Sequence, residues 1–351
     1  MRFEHETLGQ RVRFASGRAA DGVAMEVETL GAQRVMVIAG PNRVALAEQV
    51  TAQLPVAVFH DEVVSHVPVP VAERARKTAG DHDVDAVVSV GGGSATGLAK
   101  AVALTTGLPV IAVPTTYAGS EATAVWGLTE EGRKTTGTDR RVLPRAVVYD
   151  AGLTVSLPVD VSVASGLNAV AHCVDSLWAP RADPINTALA VEGVRTLTAA
   201  LPTVLDNPEA LPGREQSLCG AYLSAVAFAS AGSGLHHKIC HVLGGRYDLP
   251  HAPTHAVVLP YVLALNGPGA RHAERRLAAA FDAATALEGL QALGLRLRAP
   301  RALRDYGFDE SLIPEAAAAI LPAVPHGNPV DVTTADLEHL LHQAWEGAEP
   351  G

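Results

Sequence analysis

The first 150 residues alternate short apolar runs with helix-forming segments, and this alternation restricts the chain to one broad fold class. Five runs are brief and mostly rich in Val, Ile and Ala: RVMVIAG (34–40), PVAVFH (55–60), VDAVVSVGG (84–92), PVIAVP (109–114) and RAVVYD (145–150). Strands that are apolar on both faces are typical of a parallel sheet covered by helices on both sides. Helical spacing in RVALAEQVTAQL (43–54) and SATGLAKAVALTT (94–106) predicts a doubly wound, Rossmann-like α/β domain.

From about residue 152 the pattern changes to long Ala- and Leu-rich segments broken by Pro and Gly. PINTALAVEGVRTLTAALPTVL (184–205) and RHAERRLAAAFDAATALEGLQALGLRLR (271–298) both have helical spacing. We therefore predict an α/β domain over 1–152 and an all-α domain over 153–351, with the active site in a cleft between them.

Charge and composition limit the partners of the chain. The formal net charge is −10, and no basic run is present, which argues against a nucleic-acid partner. Three scattered cysteines indicate neither a disulfide framework nor a thiolate zinc site. The N-terminus MRFEHETLGQRVRF lacks a signal peptide, and SLCGAYLSAVAFASAGSGL (217–235) is typical of a buried helix in a soluble protein. We expect a cytoplasmic protein without a membrane partner.

Two polar loops follow predicted strands and predict a dinucleotide site. After VDAVVSV, consecutive glycines let the backbone approach a ligand, and the helix that follows has free N–H groups that attract a pyrophosphate, although a tight turn is an alternative. A cluster of hydroxyls ends the next strand, in PVIAVPTTYAGSEAT. Such loops at the carboxyl ends of two strands are expected around NADH or NADPH. The predicted cofactor-binding residues are Gly91, Gly92, Gly93, Ser94, Thr115, Thr116, Ser120 and, in the strand end AGPNR, Asn42.

A stripe of histidine and asparagine lies beside the apolar face of a predicted helix. In GLNAVAHCVDSLW, Asn168 and His172 are four residues apart and so share one face. In GLHHKICH, His237 and His241 repeat this spacing, and we expect a loop to bring His251 to them. Two such helices and one more histidine can build a metal site or a catalytic site.

The neighbouring polar residues have less definite roles in the sequence. Asp175 either orients His172 or faces water, and Lys238 is either a solvated charge or a group that binds a substrate carboxylate. We interpret His236 as a bystander and His255 as a structural or surface residue, because neither has the spacing of the stripe. Tyr117, in the hydroxyl-rich loop, is expected to touch the cofactor or the substrate.

These segments resemble the iron-containing alcohol dehydrogenase family over nearly the whole chain. The motifs GGGS, PTT, GSE, GLNAVAH, GLHHKICH, LGG, LPH and VLPYVLALN occur in the family's order and spacing. The resemblance implies a dehydroquinate synthase-like fold, in which a Rossmann-like domain precedes a helical domain; we also expect a homodimer. It further implies that the family's metal ligands, an Asp and three His, match Asn168, His172, His237 and His251. His241 matches a family histidine beside the reacting centre.

The missing acidic ligand weakens the expectation of a metal. Three neutral imidazoles and Asn168 leave a divalent cation without an anionic protein ligand, so we expect no metal and keep iron or zinc as an alternative. The variants GGGSATGLAKA, PTTYAGSEAT and HHKICH are similar to the maleylacetate reductase branch of the family. This similarity implies NADH- or NADPH-dependent reduction of the conjugated double bond of maleylacetate to 3-oxoadipate, a step in aromatic-compound breakdown.

The resemblance suggests roles for the polar residues with this dicarboxylate substrate. We expect His241 and His251 to polarise the ketone or donate a proton, and His172 and His237 to help bind the substrate. Asn168 is expected to hold a carboxylate or fix a histidine, while protonated histidines and Lys238 offset the negative charge.

Three other functions remain open from the sequence. A metal-dependent alcohol or glycerol dehydrogenase, or a reductase of another keto or unsaturated acid, would share this fold. A lyase like the dehydroquinate synthases is weaker, because basic phosphate-binding residues are sparse near the stripe. A nucleotide-binding sensor without catalysis would not need the histidine stripe.

Overall fold

The structure is a computed structural model that describes residues 3–7, 9–130 and 133–350, without the side chains of 133 and 134. The chain divides into two compact units, Leu8–Leu157 and Pro158–Gly351, the latter together with Met1–Thr7. Within the second unit, Nδ1 of His5 lies 2.8 Å from a carboxylate oxygen of Asp183. The predicted domain limits at 152 and 153, and the predicted cleft, stay predictions.

The first unit contains a six-stranded parallel sheet and a separate antiparallel hairpin. Its strands are β1 Arg11–Phe14, β2 Val35–Ile38, β3 Val56–His60, β4 Ala86–Gly91, β5 Val110–Pro114, β6 Val125–Glu130, β7 Arg133–Thr138 and β8 Ala146–Tyr149. Its helices are α1 Ala19–Leu30, α2 Val44–Thr51, α3 Val69–Asp81 and α4 Gly93–Thr106. The sheet order is β1-β8-β5-β4-β2-β3, and β6 pairs with β7 in the hairpin.

Helices cover both faces of the sheet, as the apolar runs predict. Along β2, Val35 and Val37 pack with α1 and α2, whereas Met36 and Ile38 pack with α3 and α4. Successive side chains of a strand point to opposite faces, so both sets must be apolar in a doubly covered sheet. The predicted Rossmann-like class is confirmed for this unit.

Two parts of the first unit were missing from the sequence-based description. β1, with the sequence RVRF, is a half-exposed strand at the edge of the sheet, where Arg13 pairs with Glu26 of α1. In the β6–β7 hairpin, β6 (VWGLTE) mixes apolar and polar residues and is half-exposed, and β7 (RKTTGT) has a polar sequence. Neither has the apolar run that marks a buried strand, because neither is covered on both faces.

The second unit is helical, as predicted. Its helices are α5 Val159–Ser176, α6 Pro184–Asp206, α7 Leu211–Ala231, α8 Leu235–Tyr247, α9 His251–Asn266, α10 Arg271–Phe281, α11 Ala286–Leu297, α12 Ile313–Ile320 and α13 Thr334–Glu346. The segment 271–298 forms two helices, because Asp282 adopts a left-handed conformation with φ of 55°. Gly232, with φ of 88°, separates α7 from α8 in the same way.

Three helices of this unit, α5, α8 and α9, hold the candidate site. α5 is buried on all sides from Ser162 to Ser176. α6 is long and apolar enough to span a membrane by length and composition alone, a property that core helices of soluble proteins share. α7 and α8 meet that test only as a pair, bent by 98°.

Candidate active site

The predicted cofactor residues lie at or beyond the carboxyl ends of three strands of the parallel sheet. β5, β4 and β2 are neighbours, and Gly91 at the end of β4 pairs with Pro114 at the end of β5. The backbone N–H of Thr115 donates to the carbonyl oxygen of Gly91 over 3.0 Å. The glycine loop and the hydroxyl-rich loop therefore leave the sheet side by side, and Asn42 is exposed just beyond the end of β2.

The close contact between these loops explains one of the glycines. A Cβ atom on Gly92 would lie 2.9 Å from the Cγ2 atom of Thr116, closer than real Cβ atoms approach. α4 begins at the next residue, Gly93, so the unbonded N–H groups of its first turn point out of this loop. This geometry suits a pyrophosphate, because the groups are donors and the helix dipole favours a negative charge.

The hydroxyl-rich loop is only partly accessible. Thr116 and Ser120 are half-buried, and Gly119 turns the chain with φ of 76°. Tyr117 is fully buried, with 0% of its surface exposed. In this conformation its side chain offers no surface to a ligand, so its predicted contact with cofactor or substrate is not part of the observed geometry.

The second unit brings six histidines together around His237. We call this group the histidine cluster: His172 of α5, His236, His237 and His241 of α8, and His251 and His255 of α9. The ring centroid of His237 lies 4.9 Å from that of His172 and 6.0 Å from that of His241. The rings of His251 and His255 are 4.4 Å apart, and those of His237 and His255 are 4.8 Å apart. All four predicted histidines therefore belong to one cluster.

The positions of His236 and His255 correct the sequence-based interpretation. Both are fully buried, and Nε2 of His236 lies 2.8 Å from Nδ1 of His255, a hydrogen bond between α8 and α9. His236 is therefore not a bystander and His255 is not a surface residue. In the sequence, the four-residue spacing of His251 and His255 already indicated that both lie on one face of a helix. His251 also begins α9 instead of lying in a loop.

Asp175 has a different partner from the two that the sequence suggested. Its Oδ2 atom lies 2.7 Å from Nδ1 of His237 and accepts backbone N–H groups from Gly234 at 2.8 Å and His237 at 3.2 Å. Oδ1 accepts the indole N–H of Trp178 at 3.2 Å. The side chain neither orients His172 nor faces water, because it is buried against the first turn of α8 and pairs with His237.

Burial makes the inner histidines neutral. It lowers the pKa of His172 to about 4 and lowers the pKa values of His236, His237 and His255 well below the ordinary value. The expectation that protonated histidines offset substrate charge therefore fails for these four. His241 and His251 are exposed and can exchange protons with solvent. Lys238 is half-buried, and its charge adds to the lowering of the pKa of His237.

Three buried polar atoms of the family's metal positions have no hydrogen-bond partner among the described residues. They are Oδ1 of Asn168, Nδ1 of His172 and Nε2 of His237. Buried polar atoms are normally bonded, so these atoms mark the place where a ligand fits.

The donor set fits a divalent cation poorly. Asn168 is neutral, and the carboxylate of Asp175 is already bonded to His237 and two backbone N–H groups. His236, His237 and His255 each have a ring nitrogen within 4.8 Å of the others, and a second contact, the His236–His255 hydrogen bond, engages one nitrogen of each of those two rings. Neutral donors without an anionic ligand hold such a cation weakly.

Comparison with known proteins agrees with this fold. Residues 9–151 match the family model "Iron-containing alcohol dehydrogenase", and residues 162–345 match "Fe-containing alcohol dehydrogenase family, C-terminal". The chain belongs to the iron-containing alcohol dehydrogenase family, which confirms the resemblance. The chain is an NADH- or NADPH-dependent oxidoreductase, and its fold consists of an α/β unit and a helical unit.

Within the family, several full-length relatives are maleylacetate reductases. The maleylacetate reductase of Pseudomonas sp. (strain P51) is 41% identical over 352 residues, covering 100% of this chain and 99% of that one. The crystal structure of the maleylacetate reductase from Rhizobium sp. strain MTP-10005 is 41% identical, covers 99% of each chain and has a TM-score of 0.94. The structure of an iron-containing alcohol dehydrogenase from Corynebacterium glutamicum is 58% identical over 100% of this chain and 98% of that one, with a TM-score of 0.98.

Proposed function

We propose that the protein is a maleylacetate reductase that uses NADH or NADPH to reduce the conjugated double bond of maleylacetate, giving 3-oxoadipate in aromatic-compound breakdown. Full-length similarity to maleylacetate reductases supports this function. The strongest support in the site is Asn168, which occupies the acidic metal-ligand position beside His172 and His237. Such a site suits a substrate that carries its own negative charges.

The reaction needs charge stabilisation and one proton. When bound, the reduced nicotinamide supplies a hydride to the alkene carbon β to the ketone, and the alkene electrons move to the ketone oxygen. A histidine N–H stabilises this oxygen anion, and a proton then adds to the α carbon. His241 and His251 are the proposed groups for both tasks, because their exposure lets solvent return the proton after each turnover.

The inner residues are proposed to bind the dicarboxylate. The amide of Asn168 presents either N–H donors or its carbonyl oxygen, so it can hold a carboxylate or fix a neighbouring imidazole. His172 and His237 lie beside it with unbonded ring nitrogens, and Lys238 supplies a positive charge. The predicted substrate contact of Tyr117 would require the hydroxyl-rich loop to move, since Tyr117 is buried.

We propose that catalysis proceeds without a bound metal, because the polar groups of the cluster are neutral donors. A metal-dependent alcohol dehydrogenase is the alternative candidate, and the full-length similarity to maleylacetate reductases does not favour it. We further propose a cytoplasmic homodimer with a small dicarboxylate substrate.

The two candidates are separated by one set of assays. NADH and NADPH oxidation is followed with maleylacetate and with a panel of aldehydes and keto acids, before and after chelation and with added iron or zinc. The proposal expects turnover of maleylacetate that chelation leaves unchanged. Activity on aldehydes alone, lost on chelation and restored by metal, would establish the second candidate.

Two variants test the histidine roles. His241→Ala and His251→Ala should each lower kcat with maleylacetate by about 10²- to 10⁴-fold, the usual contribution of a general acid. His326→Ala is the matched control, because His326 is an exposed histidine of the same unit outside the cluster. Near-wild-type rates in both cluster variants would remove these residues from the mechanism.

A further inference from the structure

A fully buried lysine lies beneath the hydroxyl-rich loop of the α/β unit. Lys100, in α4, has 0% of its surface exposed. Its Nζ atom donates to the carbonyl oxygens of Ser120 at 2.5 Å and Val125 at 2.9 Å, and to the hydroxyl of Thr123 at 3.0 Å. Ser120 and Thr123 belong to the turn that ends the hydroxyl-rich loop, and Val125 is the first residue of β6, which follows this turn.

The same turn is held from a second direction through Glu121. The hydroxyl of Tyr149, at the end of β8, donates to Oε1 of Glu121 over 2.7 Å. Nε2 of Gln10 donates to the backbone oxygen of Glu121 over 2.8 Å. Glu121 is 2% exposed, so its carboxylate and the ammonium of Lys100 are both inside the unit. Three separate elements thus fix one short turn.

Burying the charged groups of Lys100 and Glu121 costs free energy that apolar side chains filling the same space would not cost. Burial lowers the pKa of Lys100 to about 7 and raises the pKa of Glu121, which shows the cost of holding either charge there. Apolar residues of similar volume often replace buried ion pairs without loss of stability. A role in positioning a ligand-binding loop accounts for polar groups at this place.

The helix that carries Lys100 connects the two predicted cofactor loops. α4 begins at Gly93, directly after the glycine loop, and Lys100 lies seven residues further on, about two helical turns. The helix therefore has the glycine loop at its start, and its lysine holds the end of the hydroxyl-rich loop. A shift of one loop would be transmitted to the other through a single rigid helix.

We propose that Lys100 is a positioning residue that sets the hydroxyl-rich loop against the glycine loop for cofactor binding. The inference rests on the proposed cofactor role of the two loops. Lys100 does not touch the cofactor; it acts through Ser120, Thr123 and Val125. Removing it should weaken cofactor binding more than it affects turnover at saturating cofactor.

The test compares Lys100→Met with Glu26→Gln. Glu26 is a buried carboxylate of the same unit that pairs with the partly exposed Arg13 of β1, so Glu26→Gln removes a buried charge outside the two loops. NADH and NADPH binding is measured by fluorescence titration well below each melting temperature. Lys100→Met should raise Kd about tenfold or more, with kcat at saturating cofactor within about threefold of wild type. Glu26→Gln should lower the melting temperature and leave Kd unchanged.

A second variant covers the case in which Lys100→Met does not fold. Thr123→Val keeps the lysine and the volume of the side chain but removes one of its three acceptors, and it should raise Kd by about two- to fivefold. A Kd equal to that of wild type in Thr123→Val, or in folded Lys100→Met, would overturn the positioning role. A wild-type protein that binds neither NADH nor NADPH would instead overturn the proposed function.

Discussion

The imidazole of His237 donates its Nδ1 proton to Oδ2 of Asp175 over 2.7 Å, and at most 2% of either side chain is exposed. The direction of this bond follows from the other contacts of the carboxylate. Oδ2 also accepts the N–H groups of Gly234 and His237, so it is an acceptor in all three bonds. His237 therefore carries its proton on Nδ1 and has a lone pair on Nε2, a buried atom without a hydrogen-bond partner among the described residues.

Asp175→Asn should lower turnover of maleylacetate about 10- to 100-fold, the range found when a group that orients a site histidine is lost. The amide replaces one acceptor oxygen by an N–H₂ group, which then faces either the three donors at the Oδ2 position or the indole N–H of Trp178, so the proton and orientation of His237 are less firmly fixed. Steady-state kinetics with NADH measures the effect. Asp160→Asn, an exposed position at the start of the same helix, is the control and should keep wild-type rates. Equal rates in both variants would show that the Asp175–His237 bond is not needed.

Gly234→Ala should disturb the same bond from the backbone side. A Cβ atom on Gly234 would lie 2.3 Å from Oδ1 of Asp175, and this carboxylate could move aside only by breaking its bonds to His237 and Trp178. Overpacking of this kind lowers the free energy of unfolding by about 1–3 kcal/mol, and kcat should fall as in Asp175→Asn. Urea unfolding and kinetics measure both effects. Gly294→Ala is the control, since its Cβ would meet only Ala299 at 3.8 Å; an equal loss in both would refute this account.

Asn168→Asp should convert the site into one that retains a metal. The new carboxylate supplies the anionic ligand that the wild-type set of His172, His237 and His251 lacks. We expect about one equivalent of zinc or iron in the variant after loading and dialysis, and loss of maleylacetate turnover, since the carboxylate repels a dianionic substrate. Elemental analysis measures the metal. One tightly held equivalent in wild type would favour the metal-dependent candidate.

Lys100 should make stability depend on pH above neutrality. Its pKa is about 7 in the folded protein against an ordinary value of 10.5. Between these values the unfolded chain binds a proton that the folded protein has released, so the free energy of unfolding rises with pH, by at most about 1.4 kcal/mol per unit. The difference between wild type and Lys100→Met should therefore shift in favour of wild type from pH 7 to pH 9. Urea unfolding at several pH values tests this; a constant difference would mean that Lys100 keeps its ordinary pKa.

Much of the fold follows from local sequence. Valine-rich runs that are apolar on both faces specify covered parallel strands, and five of the eight strands were predicted in this way. β1 and the β6–β7 hairpin were not predicted. At least one face of each is exposed to solvent or carries an ion pair, so their sequences lack the apolar run of a strand that is covered on both faces. Along α5 and α8, the four-residue spacing of Asn168 with His172 and of His237 with His241 placed each pair on one side of a helix.

By itself, the sequence determined the fold class, the family and the identity of the four predicted histidines, because each depends on spacing within one element or on the order of motifs. Only the tertiary structure decided which side chains from different elements form hydrogen bonds with one another. Asp175 bonds His237 from a helix 62 residues away, and His236 bonds His255 across α8 and α9. Lys100 similarly reaches Ser120 from another element. Contacts between elements depend on how helices and strands pack, and no local spacing records that packing.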